Sequence, residues 1–367
     1  MDDNKILPKY IQLKNVLKGQ IIKKEMDLKN FPAEEELRVK YGLSICTIKR
    51  ALKELVKEKY IKREQGRGTF VIYDYKKTAS QPEKVINFLF YRPTAEFEHD
   101  EFYIELFEKI EYYSNIKGYK VVFSSIYDSF TKGLAIPEVI KEGKVSGSFL
   151  IMIEDRILKE IDKYNAPFVA VDYNSKYGYD SVVADNLNGA KEAVKYLIGL
   201  GHEKIGYVTW LRSYIEDWPN SVERMQGYTL ALEENGIAVN SQFIRKASGD
   251  NSLKSIVEDF LKLGVTGMFC FSDHLGFGLV RKMKELNIGV PEKISVIGCG
   301  DSKLDGNKTS TLTTVKTDLD SMARKAVDIL VGKIEGAETP AGKTIIPTEL
   351  VIKSSCRNIK ISVKAIK

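Results

Sequence analysis

The chain has 367 residues, 43% hydrophobic and 29% charged, with a formal net charge of +6. That length predicts two or three domains with a large buried core, and no apolar run of about 18 residues is present to cross a membrane. The opening MDDNKILPKY is polar and acidic rather than a secretory leader, so a cytoplasmic protein is expected.

The charge is unevenly placed. Residues 1–78 carry 19 Lys and Arg against 11 Asp and Glu, a balance of +8, which leaves −2 for the rest. A small basic region ahead of a near-neutral body points to a polyanion partner for that region alone. The spacing of apolar residues at Ile11, Leu13, Val16, Leu17, Ile21 and Ile22 predicts a helix over 7–24, with Pro8 in its first turn. A second helix is expected over 34–41, then a turn at Gly42–Leu43–Ser44. Ser44 is placed to cap a third helix that runs to about Lys59. Its apolar stripe is Ile48, Leu52, Leu55 and Val56; its other face carries Thr47, Lys49, Arg50 and Lys53. Two β-rich runs pinched around Gln65–Gly66–Arg67–Gly68 complete the order helix, turn, helix, wing. That order suits a helix laid in a DNA groove with a hairpin beside it. Ser44 and Thr47 suit phosphate oxygens, and Lys49 and Arg50 suit phosphates or guanine acceptors. Gln65, Gly66 and Arg67 form a wing tip for the minor groove, and Lys9 is in reach of a phosphate.

Residues 74–83, within the polar run YDYKKTASQPE, read as a linker between a domain at 1–73 and one at 84–367. Beyond the linker, strands alternate with helices. Strands are expected near 85–91, 119–124, 148–153, 168–172, 204–208, 267–271 and 295–298. Helices are expected near 102–117, 136–142, 190–200, 221–235, 253–263 and 275–286. This alternation predicts an α/β domain of parallel sheets flanked by helices. About 280 residues exceed one such sheet, so two lobes with a ligand cleft at the strand ends are expected.

Neither zinc nor disulfides are expected of the four distant cysteines, Cys46, Cys270, Cys299 and Cys356. Neither a P-loop nor GxSxG, HExxH or a paired-His metal spacing is present, so no catalytic residue, metal or cofactor is assigned. A periplasmic sugar carrier is the rival reading, and the basic front domain weighs against it.

Particular residues then carry a resemblance. Pro8–Lys9–Tyr10, Phe31–Pro32–Ala33–Glu34, Tyr41–Gly42–Leu43–Ser44, Thr47–Ile48–Lys49–Arg50–Ala51–Leu52 and Gly66–Arg67–Gly68–Thr69–Phe70–Val71 make residues 8–72 similar to the winged-helix domain of GntR-family regulators. The resemblance adds Glu34 to the expected DNA-facing residues. The family usually has Arg where this chain has Ile45. Residues 84–356 resemble the effector domain of the LacI/GalR family, a two-lobed relative of type I sugar-binding proteins. The carrying pieces include Ala166–Pro167–Phe168, Ala184–Asp185–Asn186, Leu200–Gly201–His202–Glu203–Lys204, Glu223–Arg224–Met225–Gln226–Gly227–Tyr228 and Ile294–Ser295–Val296–Ile297–Gly298.

That second resemblance implies a small sugar effector and a homodimer on a pseudo-palindromic operator in double-stranded DNA. Arg224 would point into the cleft and fork onto ligand oxygens. Asp172 either accepts from sugar hydroxyls or caps its strand. Phe102, Tyr103 and Trp210 either line the pocket or pack the core. Ser272–Asp273 stand where Asn-Asp is common, and Cys299–Gly300–Asp301 where Tyr-Asp-Asp is common; Ser272, Asp273 and Asp301 are therefore taken as effector contacts. Asp185–Asn186 should cap the helix that follows, and His202 should cap a helix end. Residues 211–222 look longer than usual. Joining these two domain types is the arrangement of arabinose-responsive repressors of Gram-positive bacteria, which favours L-arabinose.

Overall fold

Every fourth residue of the first helix is buried: Leu13, Leu17 and Ile21. This helix, α1 (Lys9–Ile22), opens the computed structural model of the protein. The structure describes residues 9–22, 31–58, 60–64, 68–72, 84–91, 100–128, 133–211, 218–301, 311–337 and 342–360. Gln65, Gly66, Arg67, Pro8 and the linker lie outside them. The chain divides into two compact units at 82/83.

The first unit continues with α2 (Glu34–Tyr41), α3 (Ile45–Lys57), β1 (Ile61–Glu64) and β2 (Gly68–Val71). Gly42 ends α2 at φ +61 and donates its N–H to the Arg38 carbonyl; a side chain would resist that left-handed turn. The Ser44 hydroxyl then accepts from the Thr47 N–H at 3.3 Å and starts α3. Ile48, Ala51, Leu52 and Leu55 of α3 join Phe31, Leu37, Ile61 and the α1 row in one core. Strands β1 and β2 pair antiparallel, Ile61 opposite Val71 and Glu64 opposite Gly68. The expected stripes were too wide at two places. Val16 and Val56 are exposed by 46% and 37%: Val16 lies off the Leu13–Leu17–Ile21 row that meets the core, and Val56 sits in the last turn of α3, beside Leu55, which takes the buried place.

The second unit has two lobes. Lobe 1 is built from β3 (Val85–Phe90), α4 (Glu101–Ile116), β4 (Lys120–Ser125), a small β5–β6 pair (Tyr127–Asp128, Gly133–Leu134), α5 (Glu138–Lys141) and β7 (Gly147–Ile151). It continues with α6 (Asp155–Asp162), β8 (Phe168–Val171) and β9 (Ser181–Ala184). Lobe 2 follows with α7 (Asn186–Gly199), β10 (Ile205–Trp210), α8 (Pro219–Glu234), β11 (Ile244–Ala247), α9 (Asp250–Leu263) and β12 (Gly267–Cys270). It continues with α10 (Asp273–Glu285), β13 (Ser295–Cys299) and β14 (Thr313–Thr317). The chain then returns to lobe 1 for α11 (Leu319–Ile334) and β15 (Lys343–Ile346), and ends in lobe 2 with β16 (Thr348–Val351).

The lobe 1 sheet has the order β15-β9-β8-β7-β3-β4 and the lobe 2 sheet the order β11-β10-β12-β13-β14-β16. Within these two six-stranded sheets every described pair is parallel except β14 with β16. The strand cores are apolar on both faces, as buried parallel sheets require: β7 and β8 are fully buried along their length.

The chain passes between lobes three times, at 184–186, 317–319 and 346–348. The Asp185 side chain accepts from the Asn188 N–H at 3.2 Å and starts α7; Asp318 accepts from the Ser321 N–H at 3.0 Å and starts α11. The Asp185 N–H bonds the Ile346 carbonyl at 2.9 Å, tying two of the passages together. Helices α7 and α8 meet closely where a Cβ on Gly227 would stand 2.3 Å from the Leu187 carbonyl oxygen. Gly227→Ala should therefore cost about 1–3 kcal/mol of the second unit's stability by overpacking, read as a lower urea midpoint at unchanged slope.

Candidate functional site

In the first unit, the start of α3 stands in solvent: Ser44, Ile45, Lys49 and Arg50 are exposed and Thr47 is half-buried. The Ser44 and Thr47 hydroxyls lie 2.8 Å apart. Glu34, at the first position of α2, ion-pairs with Arg63 of β1. Its carboxylate is also 3.9 Å from the Lys49 ammonium. One acid thus joins the start of α2, the exposed face of α3 and the hairpin. The Arg50 guanidinium lies 4.0 Å from the centre of the Tyr10 ring, and Lys9, exposed, begins the same helix as Tyr10. Sequence reasoning missed Arg63 and Tyr10; an acid and a base 29 residues apart give no local sign of their pairing.

In the second unit, the two lobes face each other at the carboxyl ends of their strands. Asp172 follows β8 at φ 57 and is 6% exposed. The Tyr103 hydroxyl, on α4, donates to its carboxylate at 2.7 Å. Burial pushes the Asp172 carboxyl up to about 6, against the opposing pull of the Tyr103 hydrogen bond and the Arg224 charge. Arg224, on α8, donates from Nε to Asn186 Oδ1 at 2.9 Å and from Nη1 to the Phe271 carbonyl at 2.6 Å. Its guanidinium also lies 4.8 Å from the Phe271 ring centre. Tyr103 and Asp172 of lobe 1 thus share an electrostatic environment with Arg224 of lobe 2.

The other expected contacts have varied settings. Ser272 accepts from the Leu275 N–H at 3.4 Å and starts α10. Asp273 is 2% exposed and accepts from the Thr314 hydroxyl at 2.6 Å. A Cβ on Gly298 would come within 2.0 Å of its carboxylate, and Gly300 adopts φ +137. Asp301 is held by Lys353 at 3.1 Å and Lys316 at 3.3 Å. Phe102 is half-buried and meets Tyr103 edge-on at 5.1 Å. Trp210 is half-buried against the lobe 2 core, 6.0 Å from the His274 ring. Phe102, Leu319, Gly300 and Asp301, with Glu101, Glu105 and Glu108 of α4, line a cavity of about 350 Å³ between the lobes. His202 does not cap helix carbonyls as expected; its Nδ1 meets the Thr266 hydroxyl at 2.9 Å in a buried site.

Two groups escaped sequence reasoning. Thr209, at the end of β10, and Asn220, in the first turn of α8, are 5% and 8% exposed, yet Thr209 Oγ1 and Asn220 Oδ1 have no hydrogen-bond partner among the described residues. Buried polar atoms normally have partners. Asn220 lies four residues before Arg224 on one helix face, which is the only signal the sequence offers for it. Among the described residues no group of three or more His, Cys, Asp or Glu could hold a metal ion.

Residues 10–71 match the family model for bacterial regulatory proteins of the gntR family, and residues 194–356 match that for a periplasmic binding protein-like domain. The chain is a GntR/LacI-type transcriptional regulator. The arabinose metabolism transcriptional repressor of Geobacillus stearothermophilus is 24% identical to this regulator over 97% of the chain and 99% of its own length. The transcriptional repressor CytR of Escherichia coli K12 is 26% identical over 70% of this chain and 76% of its own. Among solved structures, the regulator CelR in complex with cellobiose matches with a TM-score of 0.65 at 19% identity, covering 89% of this chain and all of that one. A LacI-family regulator from Enterococcus faecium with bound ribose matches at 0.63 and 22%, covering 75% of this chain and 99% of that one. The matched structures place the two-lobed fold. The part of lobe 1 from β3 to β9 lies ahead of the stretch matched by the binding-protein model, and its α11 and β15 lie within it.

The raised Asp172 carboxyl has a pH signature. Between its ordinary value of 3.8 and about 6, the folded protein holds a proton that the unfolded chain has released. This group's contribution to stability is therefore lost as pH rises across that window. Asp172→Asn should flatten that part of the dependence and be no less stable than the parent above pH about 6, measured as urea midpoints from pH about 4 to about 7.

Proposed function

We propose that this regulator is a repressor that binds a pseudo-palindromic operator as a homodimer and leaves it when a small sugar, L-arabinose by preference, enters the cleft of the second unit. The observation that carries this reading is the match to a repressor of arabinose metabolism over 97% of this chain and 99% of that repressor's own length. A solved regulator with bound ribose and another with D-xylulofuranose support a monosaccharide of pentose size. The protein is read as a non-enzymatic switch that works in the cytoplasm, where its operator lies.

The residues take roles by chemistry. Ser44, Thr47, Lys49 and Arg50 meet the major groove, Lys9 meets a phosphate, and Gln65, Gly66 and Arg67 meet the minor groove. Glu34 orients Lys49 and Arg63, and it accepts from a base amino group when they shift to phosphates. In the cleft, Arg224 and Asp172 present a fork of donors and a pair of acceptors to vicinal hydroxyls. The unpartnered Thr209 and Asn220 oxygens gain partners from the same ligand. Phe102, Tyr103 and Trp210 supply apolar faces, and Ser272, Asp273 and Asp301 form the lobe 2 wall. Ligand acts only through its difference in affinity for two lobe arrangements; a hundredfold loss of operator affinity needs about 2.7 kcal/mol of coupling.

Lys49→Ala and Arg67→Ala should each weaken operator binding about tenfold or more while sugar affinity stays unchanged. Gel retardation with the gene's own upstream DNA and calorimetry against L-arabinose, D-xylose, D-ribose and D-galactose measure the two sides. Arg224→Ala should bind the operator normally and no longer release it with L-arabinose; a variant that still responds would remove Arg224 from the ligand site. Calorimetric silence toward L-arabinose with a response to another of these sugars would reassign the effector and keep the repressor.

A further inference from the structure

Trp218 belongs by sequence to lobe 2, immediately ahead of α8. Its side chain lies elsewhere. It is 5% exposed and packs in the core cluster of lobe 1, with Tyr103, Met152 and Val171. Its ring stands 6.4 Å from that of Tyr173, the residue after Asp172, at an interplanar angle of 72°, an edge-on arrangement favourable between aromatic rings. A second fastening lies on the next turn of the helix: the Glu223 carboxylate accepts from Lys343 of β15, in lobe 1, at 3.0 Å. The start of α8 is therefore pinned to lobe 1 at two points, one apolar and one ionic. Any swing of the lobes about their three passages withdraws the indole from the wall and exposes about 150–250 Å² of aromatic surface.

We infer that Trp218 is an intramolecular latch that holds the two lobes closed before any ligand arrives. The ion pair is partly exposed and weak by itself, so the indole dominates. A closed, ligand-free majority means that the binding surfaces are already assembled, and that a ligand enters through the minor open population. The latch also gives the segment 211–222, which looked long in sequence, a task at its described end.

The chain has two tryptophans, Trp210 and Trp218, so Trp210→Phe leaves the latch as the only indole. In the full-length, ligand-free protein this variant should emit at short wavelength and resist acrylamide. Adding Tyr173→Ala, which removes the opposing ring from the other lobe, should shift the emission to the red, raise quenching several-fold and enlarge the radius of gyration in X-ray scattering. Trp218→Ala should enlarge it as well. An indole in Trp210→Phe that is quenched like free tryptophan overturns the latch. So does quenching that Tyr173→Ala leaves unchanged, with native circular dichroism. If Trp218→Ala fails to fold, the Tyr173→Ala quenching decides alone. No readout contains sugar or DNA, so a negative result leaves the proposed effector and operator untouched, and failure of those leaves the latch standing.

Discussion

The three passages of the chain between the lobes are the constraint on which the second unit rests. Each lobe borrows strands or helices from beyond the other, so neither sheet can be completed without crossing back. The crossings are short, and aspartates at two of them, Asp185 and Asp318, start the next helix. The Asp185 N–H bond to Ile346 joins neighbouring passages. A connection of this type fixes the lobes' separation near the passages and leaves rotation as the available motion. The carboxyl ends of both sheets face each other across the cleft. A ligand or side chain placed there touches both lobes and so bears on the angle between them.

Electrostatics sharpen that geometry. Asp172 is desolvated and kept from ionising easily, and Arg224 is committed to Asn186 and to the Phe271 carbonyl. Neither group is neutralised by direct contact with the other. A buried acid with a neutral hydroxyl as partner, facing a guanidinium with spare N–H donors, favours a ligand that both donates and accepts. Vicinal hydroxyls do so. Thr209 and Asn220 extend the same demand deeper, since leaving them unbonded is costly.

Much of the architecture was legible because periodicity reports element type directly. Alternating apolar runs gave the parallel sheets, and Gly42–Leu43–Ser44 with the stripe of Ile48, Leu52 and Leu55 gave the helix pair of the first unit. The elements that escaped were β5, β6, α6, β9, β11, β14, α11, β15 and β16, most of them short strands or the parts that cross between lobes. Periodicity tells what a segment is; it does not tell which lobe receives it. Site chemistry was legible residue by residue and not as contacts. Ser before Asp at a strand end fits a ligand wall and a helix cap equally, and Ser272 is bonded as a cap. Tyr103 and Asp172 were separate candidates, 69 positions apart, and only the fold shows one hydrogen-bonding the other. Thr209 carried no signal, and Asn220 only its four-residue spacing from Arg224, because an unmet hydrogen-bonding capacity is a property of surroundings.

The interleaving of the lobes also orders how the polypeptide matures. The helices and hairpin of the first unit form a self-contained core within the first 71 residues, and domains fold as they emerge, the amino-terminal one first. Lobe 1 must wait: Met322, Ala326, Val327 and Leu330 of its central cluster, and the edge strand β15, come from the last 50 residues or so. A product halted by early termination or clipped near residue 318 keeps an intact front module while its receiver lacks a wall. Such a fragment would keep the helices and hairpin of the front module and lose α11, β15 and β16, the pieces that complete both lobes.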